Sequence, residues 1–358
     1  MAAVDRDRAM DFREHAINRE WSAEGKIDLL RRMLRIRRFE QAALRSYNAG
    51  KMGGFLNLDI GQESVSTGVR SVMGPLDHSI SGPRGIGHAL AAGMAMGPCM
   101  AELFGKADGC SKGKGGMFSY YDPGRNHWGC HALAGAQTPL AAGLAFALKQ
   151  RRIRGAVVCF LGDGAVNQGV YHESLNLAGL FGLPVVYLIE NNGYSMGTSV
   201  SRSSRFKECL ARRAEAYDID WDRCGDGDPY ELRARVWTAL ERARHERRPT
   251  VLEIETYRYY GSTVADANHK KYRTPEEIEE RKKLDPLAGW RRRLEREGIL
   301  DHAAAEEMDL AAKAEAAEAV EFAEAGPPPG IGDVLKHVYW ESDHETPASR
   351  IGRQFFGE

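Results

Sequence analysis

Apolar residues recur at helical spacing among arginines between residues 24 and 48 (Ile27, Leu30, Met33, Leu34, Leu44), and Gly50 closes the run. This predicts a long amphipathic helix with a glycine stop. Helices are also expected over 62–73 and 88–104, the second broken at Gly97-Pro98, with a short strand and turn at Ser79–Arg84 between them. The stretch 105–135 has no helical or strand period and is punctuated by Gly105, Gly109, Gly113, Gly115, Gly116, Gly124, Gly129 and Gly135. A loop of that length in a compact protein is usually functional.

An alternation follows that sets the fold class. An Ala/Leu helix is expected over 137–152, an apolar strand at Gly155–Leu161, a helix over 169–182 and a second apolar strand at Pro184–Ile189. A further helix (228–248) leads to a strand at Thr250–Thr256. Strands apolar on both faces and separated by helices imply parallel pairing with both faces covered, so the expected fold is α/β with a doubly wound, mostly parallel sheet. From Pro275 onward the chain is helix-forming, interrupted at Asp285-Pro286 and Pro327-Pro328-Pro329. The organisation read from this is a helical arm (1–50), a central α/β domain (51–274) and a C-terminal helical region (275–358). The Ala/Glu-rich segment 302–325 covers only about three heptads, so it reads as a surface helix rather than a coiled coil.

Composition narrows the function classes. The 358 residues carry 49 Lys and Arg against 50 Asp and Glu, a net charge of −1, so no basic excess points to nucleic acid or anionic membrane. The longest apolar run is about half of the ~20 residues a membrane span needs. The first 14 residues mix Asp, Arg and Glu and resemble neither a secretory signal nor a transit peptide, so a cytoplasmic protein is expected. Six cysteines without a CxxC pair argue for reduced thiols rather than a disulfide framework or zinc site. The chain's 39 glycines exceed the usual share of about 7 %.

Part of that excess sits where ligands bind. FLGDGAVNQG begins at the C-terminal end of one apolar strand and ENNGYSMGTS at the end of the next. In open α/β sheets that edge holds the ligand, and glycines there let backbone N–H groups approach a phosphate. Asp163 and Asn192 could bring a carboxylate and an amide oxygen to one hard cation such as Mg²⁺ or Ca²⁺.

A GDG followed across a helix and a strand by NN resembles the thiamine-diphosphate motif. Around it stand GQE at 61–63, the run from Arg84, AELFGKADGCSKGKGG (101–116), GAQTPLAAGLA (135–145), TYR (256–258), YRTPEEIEE (272–280) and DPL (285–287). Together these resemble the α subunit of the decarboxylating component of 2-oxo acid dehydrogenases, the pyruvate, acetoin and branched-chain group, over about residues 25–340. The resemblance implies thiamine diphosphate and Mg²⁺ as cofactors, with Asp163, Asn192 and the carbonyl of Tyr194 on the metal. It places Arg84, Gly162, Asp163, Gly164, Ala165 and Asn192 about the diphosphate, and Gly135 near the ring-binding segment. It also implies decarboxylation of a 2-oxo acid with acyl transfer to a lipoyl group. A β subunit would supply the pyrimidine site in an α₂β₂ assembly, beside a lipoyl-bearing acyltransferase.

The chain departs from the family pattern on the substrate side. Positions often histidine in relatives are Asn57, Ile86, Ser119 and Ser262, and Pro83 replaces a tyrosine or histidine before Arg84. A serine hydroxyl cannot act as a proton shuttle near neutral pH as imidazole does. Ser262 therefore marks the catalytic position in question, and His88, His127, His131, His269 or a β-subunit side chain are the candidate replacements, with His127 and His131 foremost. Three readings stay open: a working dehydrogenase subunit, a thiamine-diphosphate subunit with altered chemistry (acyloin or transketolase-like, or acyl transfer to a non-lipoyl acceptor), and a non-catalytic scaffold.

Overall fold

The computed structural model describes residues 11–266, 269–334 and 336, with the side chain of His269 outside the described set. The strands are β1 (His78–Ser81), β2 (His127–Cys130), β3 (Val157–Gly162), β4 (Val185–Asn191), the hairpin β5 (Tyr194–Ser195) and β6 (Thr198–Ser199), β7 (Asp220–Gly225) and β8 (Thr250–Glu255). Six of them form one sheet in the order β2-β1-β3-β4-β8-β7, and each pairing is parallel. β3 and β4 are the central pair that the continuous apolar runs indicated, and Val157–Leu161 and Val185–Ile189 are buried throughout. One face packs on the helices Gln137–Gln150 and Gly169–Phe181, the other on Glu63–Arg70 and Pro229–Glu241. The doubly wound parallel sheet is thus present with both faces covered.

The short hairpin β5–β6 and two strands of the main sheet escaped the sequence reading, and the two sheet strands are its edges. β2 lies inside the glycine-rich stretch expected to be loop, and β7 (DWDRCG) carries polar residues that are only partly buried. An edge strand pairs on one side, so its sequence carries less of the two-faced apolar signal. The helix break expected at Gly97-Pro98 lies earlier: helices Ile86–Ala91 and Met96–Leu103 are separated by a turn in which Gly93 has φ +94°. Pro98 falls in the first turn of the second helix, where its missing N–H has no intrahelical partner to lose.

The helix Ala23–Asn48 buries Leu29, Leu30, Met33, Leu34, Ile36 and Phe39. The helix His302–Ala325, expected at the surface, exposes one face but buries Ala305, Ala312, Ala316, Ala319 and Ala323. That stripe packs on Ala23–Asn48 and Met96–Leu103. Small side chains allow the close approach, and Arg35 fixes it with a bidentate pair to Glu315 at 2.5 and 2.7 Å. Among the described residues no helix is long and apolar enough to cross a membrane.

The close Ala seam makes a prediction. Ala316→Leu overpacks it and should lower stability by about 1–3 kcal/mol, read as the midpoint of urea unfolding. The exposed neighbour Ala317→Leu should stay within about 0.5 kcal/mol of wild type.

Candidate cofactor site

The register of the central strands pairs Gly162 with Glu190, so the loops that leave β3 and β4 emerge side by side. Between them lies a cavity of about 170 Å³. It brings together Arg84, Gly162, Asp163, Gly164, Ala165, Asn192, Tyr194 and Ser262. A larger cleft of about 740 Å³ opens beyond the Asn191–Tyr194 loop. Its carboxylates Glu255, Glu277, Asp285 and Asp226 are engaged by Arg223, by the hydroxyls of Tyr194 and Tyr257, by Arg37, and by the hydroxyls of Ser64 and Thr256 respectively. The small cavity differs, because three buried polar atoms of its lining have no partner: Asp163 Oδ2, Asn57 Oδ1 and Gln62 Nε2. Unsatisfied polar atoms gathered in one cavity are the mark of a ligand site.

Asp163 is 3 % exposed at the end of β3. Burial drives its carboxyl up to about 6, against the backbone N–H groups of Gly164 and Gly193 and the charges of Arg258 and Arg84, which favour the anion. Gly164 is required by close approach, since a Cβ there would lie 2.0 Å from Ser195 Oγ. Gly162 faces open space, with nothing within 4 Å of where its Cβ would stand. Asn192 accepts from the Tyr194 N–H at 3.3 Å and donates to Gln62 Oε1 at 3.0 Å. Arg84 is positioned in advance, donating to the carbonyls of Leu58 and Ser262. A carboxylate with a free oxygen, an amide oxygen and a chain carbonyl are hard donors, which suit a hard divalent cation rather than a soft one. The adjoining guanidinium and side-chain-free backbone suit a phosphate group.

The remaining sequence candidates are not brought to this cavity. Gly135 (φ +88°) packs against the side chain of Gln168, and its neighbour Ala134 does the lining. His127 is fully buried on β2, with Nδ1 3.0 Å from Ser79 Oγ. Burial pushes its pKa down to about 3, which leaves the imidazole neutral near pH 7. It stands outside the cavity lining. His131 is half-buried outside the lining, edge-on to Tyr121, and burial lowers its pKa as well. Ser262 does line the cavity, with its N–H bonded to Asp266 at 3.1 Å. His88 lies behind the site against Glu190 at 3.2 Å; burial opposes its charge, but Glu190 and Asp59 outweigh burial and raise its pKa. No histidine lines the cavity among the described residues.

Four participants were missed as individuals. Gln62 and Arg258 stood inside the GQE and TYR motifs, and Glu190 opened ENN, each without an assigned role, while Asn57 was noted only as a departure from histidine. Arg258 is buried and ties the carbonyls of Tyr260 and Met196 together at 2.7 and 2.8 Å, which holds the loop over the site. A motif marks such residues, but only the fold supplies their partners.

Comparison with known proteins places most of the chain in one family. Residues 31–331 match the family described as dehydrogenase E1 component. The chain is 42 % identical over 312 residues to the pyruvate dehydrogenase E1 component subunit alpha of Rickettsia felis, covering 86 % of this chain and 93 % of the relative. The subunit of the same description from Rhizobium meliloti is 37 % identical over 320 residues, 89 % and 91 % of the two chains. The mitochondrial one from Saccharomyces cerevisiae is 37 % identical over 336 residues, 92 % and 78 % of the two. The chain belongs to the dehydrogenase E1 component family.

The buried Asp163 sets a testable cost. Its carboxyl keeps a proton up to about pH 6 when folded but releases it near 3.8 when unfolded, so folding takes up a proton between those values. The penalty is full above pH 6 and absent below about pH 4. Asp163→Asn should therefore raise the melting temperature of the chelator-treated protein at pH 8, and the gap should close as the pH falls towards 4. A destabilised variant at pH 8 would show that the carboxylate is already compensated within the protein.

Proposed function

We propose that this chain is the α subunit of a thiamine-diphosphate-dependent 2-oxo acid dehydrogenase, working in the cytoplasm, with pyruvate, the substrate named for its relatives, as its own. The observation that carries this reading is the free oxygen of Asp163, buried beside Asn192 and Arg84 where two parallel strands end. In this reading Asp163, Asn192 and the carbonyl of Tyr194 hold Mg²⁺, and Arg84 with the backbone of Gly162, Gly164 and Ala165 faces the diphosphate. The bound cofactor supplies the carbon nucleophile for decarboxylation, and the protein supplies its orientation. Arg84 is already held by two carbonyls, so little side-chain freedom is lost when an anion arrives. Arg258 and the Gly193 turn keep the loop closed over the metal ligands.

Proton transfer is where this chain contributes least. Among the described residues the cavity presents Asp163 and Glu190 but no imidazole, and Ser262 acts through its carbonyl on Arg84. We assign the proton donors at the substrate to a β subunit, which completes the cavity in an α₂β₂ assembly that hands its acyl group to a lipoyl-bearing acyltransferase. That no described histidine lines this cavity is also what favours the second reading, in which the acyl unit goes to an acceptor other than lipoamide.

The test is to purify the chain with its β partner and measure CO₂ release from pyruvate and other 2-oxo acids, with and without a lipoyl domain. Pyruvate-dependent CO₂ release that requires Mg²⁺ and thiamine diphosphate and rises with the lipoyl domain is expected. Release that ignores the lipoyl domain supports altered chemistry, and failure to bind thiamine diphosphate supports a scaffold. Arg84→Ala should raise the thiamine diphosphate concentration for half-saturation about 10–100-fold, the loss of a charge-assisted hydrogen bond.

A further inference from the structure

Gln62 is 2 % exposed at the start of the helix Glu63–Arg70. It is brought against the Asn192 loop by Gly61, whose φ of +107° lets the chain pass so close to Tyr257 that a Cβ would lie 2.3 Å from its carbonyl oxygen. The oxygen and nitrogen of a side-chain amide look alike, and the surrounding hydrogen bonds decide which is which. Here one unambiguous donor decides the whole chain of contacts. The backbone N–H of Tyr194 can only donate, so the atom of Asn192 it meets is Oδ1. The other end of that amide is then Nδ2, and it must find an acceptor in Gln62, which is Oε1 at 3.0 Å. The Nε2 of Gln62 is left buried without a partner in the cavity lining. A side chain kept only to fill space would be apolar, for a buried amide with an unpaired N–H is costly.

We infer that Gln62 is a positioning residue of the metal site, holding the amide of Asn192 so that its oxygen, not its nitrogen, is the atom available to a cation. A turned amide would offer N–H groups both to the metal and to the Tyr194 N–H, and Gln62 opposes that turn together with this N–H, by accepting from Nδ2 while Oδ1 is met by the backbone donor. The inference rests on Asn192 being a metal ligand. Groups behind metal ligands typically change metal affinity 10–100-fold when removed.

The test uses the full chain with its β partner and saturating thiamine diphosphate, with Mg²⁺ binding read by calorimetry rather than turnover. Gln62→Met, which keeps the volume but removes the acceptor, should bind Mg²⁺ about 10–100-fold more weakly. Gln62→Glu keeps an oxygen opposite Nδ2 and should bind no more weakly than wild type, which also shows that the position tolerates change. In an Asn192→Ala background, Gln62→Met should add no further loss, as a double-mutant cycle requires of a residue acting through another. Wild-type affinity in Gln62→Met, an equal loss in Gln62→Glu, or an undiminished loss in the Asn192→Ala background would each overturn the inference. Asn192→Ala alone reads the underlying assignment: if it binds Mg²⁺ as wild type does, the metal reading itself falls.

Discussion

A buried carboxylate oxygen without a hydrogen-bond partner costs about 1–3 kcal/mol, and more when it carries charge. Asp163 is such a group, held at the end of β3 by strand pairings that leave it nowhere else to go. The β3–β4 register brings the Asn192 loop alongside, the close contact of Gly164 with Ser195 holds the hairpin against it, and Arg258 ties that loop down. Together these features bury the carboxylate and leave its Oδ2 without a hydrogen-bond partner. A bound cation would reverse the balance, since charge becomes the favoured form next to it. The site is arranged around a cost that a ligand removes.

The same reasoning divides the chemistry between chains. This chain's contribution is a rigid set of oxygen donors, a guanidinium held by two carbonyls, and glycines that uncover the backbone. Two further buried carboxyls lie behind the cavity: Asp59 is driven up to about 7 by burial, and Glu40 beside it is raised well above the ordinary carboxylate range for the same reason. Neither lines the cavity. Binding and orientation are therefore built in here, whereas proton donors facing the substrate are assigned to the partner.

How much of this was legible in the sequence follows from where each signal resides. β3 and β4 could be read because both of their faces are buried, which writes a continuous apolar run. β2 and β7 could not, because β2 is a four-residue edge inside a glycine-rich stretch and β7 is a partly polar edge. Asp163 and Asn192 could be singled out because their motifs fall at strand ends, where fold class already directs attention, and Arg84 was singled out through the family resemblance. His127 could not be judged, since a histidine packed against Ser79 inside the sheet and one facing a substrate have the same sequence. Gln62 was hidden for a different reason: its meaning lies in an amide 130 positions away, reached only because Gly61 lets the chain pass beneath Tyr257.

The central claim is that the free oxygen of Asp163 and the locked amide of Asn192 share one cation. Crystals of the chain with its β partner, grown with Mn²⁺ in place of Mg²⁺ and with thiamine diphosphate, allow a direct measurement by anomalous diffraction at the manganese edge. The account predicts a single strong peak in contact with Asp163, Asn192 Oδ1 and the carbonyl of Tyr194. A peak elsewhere, or a site empty of metal while the diphosphate is bound, would contradict it.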